Sequence, residues 1–214
     1  MVTGVKVMII QENKEKILEE FKNKYVMNRF MNEISKINEI IEKKEKVIKD
    51  EILLNFNKVC EKAKNLQNQN LKKEIKFIYI SFLRTSLLEN KGIYRIELFD
   101  ENWFLDKEEC SINLDFTFIY EDLFKHIDEL QEKKKEYGRT ITEMDIEKIK
   151  LKEGDKYHEL IIRIFENMKN ELMECENFKE MIKNEEFMIF AGEYMDEVEL
   201  LYESSNEEIK KEEA

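Results

Sequence analysis

The chain has 214 residues, of which 42 % are hydrophobic and 39 % charged, so it can bury a core yet must also keep a large solvated surface. Its net charge of −12 argues against general nucleic-acid binding, because such a surface repels a phosphate backbone. Three widely spaced cysteines (Cys60, Cys110, Cys175) make neither a disulfide framework nor a CxxC site, and free thiols fit a reducing, cytoplasmic location.

The opening "TGVKVMII" (3–10) alternates Val5, Val7 and Ile9 and is a strand candidate; the apolar run is too short for a signal peptide. Residues 13–68 read as helix. Ile17, Leu18, Phe21 and Tyr25 share a face, and Phe30, Ile34, Ile37, Ile41, Ile48 and Ile52 continue a narrow apolar stripe on to Leu66. Lys44 interrupts that stripe. The pattern fits a coiled-coil-like helix of about 40 residues better than a hairpin bent at 42–46, since no glycine or asparagine marks a bend. Such a stripe must be buried against another helix, and a homodimer through Phe30, Ile34, Ile37, Ile41, Ile48 and Ile52 is the expectation.

Residues 71–89 are apolar on all sides and are assigned to a buried helix closed at Gly92; a strand from 77 to 84, paired with 93–99, is the alternative. "IYRIELF" (93–99) and "SINLDFTFIY" (111–120) read as strands, the second by its alternation. Helices are expected at 121–137 and, after a polar connection at 138–155 with Asp155 as N-cap, at 155–173. A short helix follows near Phe178. Residues 187–202 place Phe187, Phe190, Ala191, Tyr194, Val198 and Leu201 on one helical face, with a strand pair turning at "YMDE" as the alternative. Proline is absent, so turns must come from Gly, Asn and Asp. The expected fold class is α+β, predominantly α-helical. Its parts are an N-terminal segment (1–70), a compact α+β part (71–203) and a disordered acidic tail (204–214).

No window approaches the 18 apolar residues of a membrane span. The lysine runs 72–76 and 132–136 are broken by glutamate and read as solvated helix faces. The aromatic stretch around Trp103 and Phe104, with Asp100 and Asp106, is read as core, with an indole buried between two strands; a pocket with an acidic rim is the competing assignment. An EF-hand does not fit there, since Phe104, Leu105 and Ser111 occupy key ligand positions. Asp122/His126 and Asp155/His158 share helix faces but lack the Glu-x-x-His pattern of helical di-metal sites, so no metal is assigned. Glycine-rich phosphate loops and serine nucleophile elbows are absent, and no cofactor is expected.

Glu171-x-x-Glu174 followed by Glu193-x-x-Asp196 resembles the ExxE…ExxD pattern of all-α NTP pyrophosphohydrolases. The resemblance implies four carboxylates on two helices holding Mg²⁺ over a triphosphate, and it covers residues 171–196. With 48 acidic residues in the chain, such spacings also arise from order alone. The function expected from the sequence is a non-catalytic, cytoplasmic protein–protein interaction module. Its acidic surface suits a basic protein partner, and neither nucleic acid nor membrane is an expected partner.

Overall fold

The computed structural model describes residues 2–194 and 198–204, with residues 2–12 as backbone only. It is a predominantly helical α+β fold. Helices α1 (Val2–Tyr25) and α2 (Arg29–Asn68) precede β1 (Ile75–Phe82), a short α3 (Arg84–Leu88), β2 (Ile93–Phe99) and β3 (Ser111–Asp115). Then come α4 (Thr117–Lys133), α5 (Glu143–Met173), α6 (Glu176–Glu180), β4 (Lys183–Glu193) and β5 (Val198–Glu203). The sheet runs β3-β2-β1-β4-β5, antiparallel except for the parallel β1–β4 pair. No described helix is long and apolar enough to cross a membrane.

The 40-residue helix is present, and nothing bends it at 42–46. Lys44 keeps its place on the stripe because its ammonium lies 4.5 Å from the ring centre of Phe118, a cation–π contact that substitutes for an apolar side chain. The helical run does break at Val26–Asn28, where the sequence carries no warning. The expected strand at 3–10 is corrected to helix, the first turns of α1.

The α2 stripe is spent inside the chain. Ile37, Ile48 and Ile52 are at most 5 % exposed, Phe30, Ile34 and Ile41 are half-buried, and α2 packs on α4, α5, α6, β2 and β3. Gln67 at its end fixes the helix to the sheet. Its amide donates to the carbonyls of Lys73 and Ile182, and its carbonyl accepts from the Ile182 amide.

Two helix assignments are corrected to strand. Residues 75–82 form the central strand β1, because the sheet is covered on both faces here and a doubly buried strand reads as a continuous apolar run. It pairs with β2 as in the hairpin alternative. Residues 183–193 and 198–203 are strands, as in the strand-pair alternative: Phe187, Ile189 and Ala191 point to one side with period two. The strand expected at 111–120 ends at Asp115, whose carboxylate accepts from the Thr117 amide and starts α4, so that Phe116, Ile119, Tyr120 and Leu123 enter the core with helical spacing.

The polar connection at 138–155 is also corrected. Thr142 and Asp145 form a capping box, and α5 starts there and passes straight through Gly154. Asp155 is therefore not an N-cap. A Cβ at Gly154 would lie 2.4 Å from Leu87 Cδ2, so this glycine lets α3 approach α5 rather than breaking the helix. Asn70 and Asn90 take positive φ after α2 and α3, as a proline-free chain requires.

Gly92 meets the ring of Tyr120, with Cδ2 2.4 Å from where a Cβ would stand. Tyr120 is fully buried and stacked on Phe82 and Tyr157, so it cannot retreat. Gly92→Ala is expected to cost about 1–3 kcal/mol by overpacking, read as a lower urea midpoint. A variant as stable as the parent would mean that the ring has room.

Candidate functional site

The two faces of the sheet differ. On one, Ile78, Ile80, Phe82, Tyr94, Ile96 and Ile189 meet the helices. On the other, the loop 100–110 folds over Phe77, Tyr79, Phe99 and Phe190. Trp103 stands edge-on to Phe77 at 4.1 Å between ring centroids and contacts Phe190 at 5.4 Å. It is half-buried, as is Phe104, so the indole covers a sheet face rather than filling a core between strands. Trp103 takes the left-handed backbone conformation (φ 55°), a strained position for a bulky residue.

Asp100 and Asp106 build the loop. The Asp106 carboxylate accepts from Lys72 Nζ and from the amides of Asp100 (3.0 Å) and Glu108 (3.1 Å). Burial opposes its ionisation, but Lys72 and the two amides outweigh burial and hold its pKa below the usual carboxylate value. Asp100 accepts from the Asn102 amide at 2.8 Å.

The main cleft lies on the helix side, between α5 and the β4–β5 pair, with a volume of about 740 Å³. Asp155, His158, Glu159, Ile162, Arg163 and Glu166 line it from α5, on successive turns of one face. Ala191, Gly192 and Glu193 line it from β4, and Val198 and Glu199 from β5. Arg84 Nη1 grips both oxygens of Glu193 (2.8 and 2.7 Å), and its Nη2 reaches Asp155 Oδ1 at 3.2 Å. Five carboxylates thus face the guanidinium groups of Arg84 and Arg163. Glu159, Glu166 and Glu199 make no ion pair among the described residues.

His158 closes the inner end. Its Nδ1 is 2.7 Å from the Tyr94 hydroxyl, which is 3.0 Å from that of Tyr120, and its ring stacks on Phe82 and Tyr94. Burial, aided by the charge of Arg84, lowers its pKa to about 4, so it is neutral near pH 7. Burial also raises the pKa of Asp155 from its ordinary value, against the pull of Arg84.

A pH dependence follows. His126, also buried, is lowered by desolvation and by Arg29. An unfolded histidine takes up its proton near 6.5, so below that pH the unfolded chain binds more protons than the folded one. The histidine contribution to stability is complete above about pH 6.5 and falls away as the pH drops towards 4. For His158 the loss is on the order of 2 kcal/mol. Urea melts at pH 7 and 4.5 should show it, and His158→Asn should reduce the difference; an unchanged pH slope in that variant would contradict the assignment.

The other residues singled out in the sequence do not assemble. Asp122 is held by Lys36 at 2.8 Å and Asp155 by Arg84, and among the described residues no group of three or more His, Cys, Asp or Glu could hold a metal ion. Glu193 sits at the end of a strand, not on a helix. Glu171 lies sixteen residues beyond Asp155 on α5, about 24 Å along its axis, and Glu174 pairs with Lys179. Asp196 lies outside the described residues, as does the tail 205–214. The lysines of both basic runs are ion-paired: Lys72 with Asp106, Lys73 with Glu101, Lys76 with Glu186, and Lys133, Lys134 and Lys135 with Glu136, Glu143 and Glu132. The first run is loop and strand rather than a helix face.

Sequence reasoning weighed His158 only as a metal ligand and passed over Arg84, Glu159, Glu166 and Glu199. Gly192, a position without a side chain in an apolar strand, is among the residues that line the cleft. Compared with protein-family models, with curated proteins and with solved structures, the chain matches none.

Proposed function

We propose that the protein is a non-catalytic interaction module that receives a basic segment of a protein partner in the cleft between α5 and β4–β5. The observation that carries this reading is the excess of carboxylate there: five carboxylates line the cleft against the guanidinium groups of Arg84 and Arg163, and among the described residues Glu159, Glu166 and Glu199 make no ion pair. Arg84 is already committed to Glu193 and Asp155, and His158 is uncharged near neutral pH. A lysine or arginine entering the cleft would meet charges left uncompensated within the chain, which favours encounter as well as binding. Self-association through the α2 stripe is not part of the proposal, because Ile37, Ile48 and Ile52 are buried within the chain.

The test is charge reversal. Glu159 and Glu199 are exposed, as is Glu166, so Glu159→Lys, Glu166→Lys and Glu199→Lys together should leave the fold intact by circular dichroism. Affinity for lysine-rich peptides should fall by about tenfold or more, with a weaker salt dependence. Unchanged binding would place the interaction elsewhere on the acidic surface.

A further inference from the structure

The strand β5 is the outer edge of the sheet: it pairs with β4, and among the described residues no strand lies on its other side. Edge strands are usually blunted by charge, by proline or by a covering element. The sequence of β5, VELLYE, has no lysine or proline, and its charges are two glutamates, which repel an acidic neighbour but not a basic one. Its two faces differ in chemistry. Glu199 lines the acidic cleft. Leu200 pairs with Phe190, which touches Trp103 on the opposite face, and is 50 % exposed. That face continues through Tyr194, in ring contact with Phe104, to Leu105, which is 83 % exposed. Side chains of a strand alternate between faces, so a strand added beside β5 would send alternate residues to the carboxylates and to the apolar surface.

We propose that the outer edge of β5 at residues 198–201 takes up an extended segment of a basic partner as a sixth strand, with cationic side chains alternating into the cleft beside Glu199 and apolar side chains over Leu200. The inference rests on the reading of the cleft given above and names the conformation and pattern of the segment. Charge decides against a second copy as the occupant, because the charged residues of β5 itself are Glu199 and Glu203.

The test uses the full chain and three synthetic peptides of about ten residues, the upper range of strand length. One alternates Lys and Val, one has the same composition in two blocks, and one is the alternating peptide with its backbone N-methylated at every second residue. Anisotropy titrations should show the alternating peptide binding about tenfold or more tightly than either of the others. Leu200→Lys, at an exposed position, should remove that advantage while the protein still melts as the parent does. If alternating and block peptides bind equally, or N-methylation is tolerated, the added strand is refuted while the cleft reading stands. If no basic peptide binds, both are refuted.

Discussion

Asp106→Ala is expected to destabilise the protein by about 3–5 kcal/mol, because it leaves the Lys72 ammonium enclosed without its counter-charge. The side chains of Lys72 and Asp106 are 0 % and 4 % exposed, and among the described residues the lysine donates, apart from Asp106, only to the Glu108 carbonyl, at 2.9 Å. The substitution also takes away the acceptor for the amides of Asp100 and Glu108, which shape the loop. Trp103 holds a left-handed conformation costing about 1–2 kcal/mol, and only a well-tied loop keeps it there. As the sole tryptophan, it reports the loop directly: emission should move to longer wavelength in the variant under native conditions, together with a lower urea midpoint. Lys72→Met should cost less, since Asp106 keeps both amides. Equal stability of Asp106→Ala and the parent would mean that Lys72 escapes to water.

A second large effect is expected on α2. Ile37 and Ile52 are each 1 % exposed, within a core shared with α4, α5 and the sheet. Ile37→Asp or Ile52→Asp places a carboxylate where nothing can solvate it, and a loss of about 4 kcal/mol or more is expected for each. If the stripe packs within the chain, these variants unfold a monomer, and helical circular dichroism falls independently of concentration. Folded, monomeric variants obtained from a dimeric parent would instead assign the stripe to an interchain contact.

The apolar stripe from Phe30 to Leu66 was legible in the sequence because helical periodicity over forty residues is hard to imitate. Its partner was not. A stripe shows that burial is needed, not against what, and here the answer is supplied by α4, α5 and α6 far along the chain, with Tyr157 against Phe30 and Phe178 against Phe56. The central strands were misread for a related reason. In β1, Ile78 and Ile80 are buried on one face and Tyr79 and Ser81 on the other, which erases the alternation that identified 111–115. Glycine misled twice. Gly92 and Gly154 look like helix stops, but each exists to admit a neighbour, Tyr120 or Leu87.

The candidate site was the least legible part. Asp155, His158, Glu159 and Glu166 follow one another at helical spacing, but nothing local says that β4 and β5 stop short of filling the space opposite them. Arg84 lies more than seventy residues before Asp155 and more than one hundred before Glu193, and joins them only through the fold. An acidic surface was visible from composition; which carboxylates lack a partner is a tertiary fact.

The most direct measurement is a chemical-shift titration of isotope-labelled protein with a lysine-rich peptide at low salt. The largest perturbations are expected at Glu159, Glu166, Gly192 and Glu199, fading with added salt and absent from the exposed outer face of α2 around Glu39 and Glu45. Perturbations spread evenly over all exposed glutamates, or centred on α2, would contradict the cleft reading.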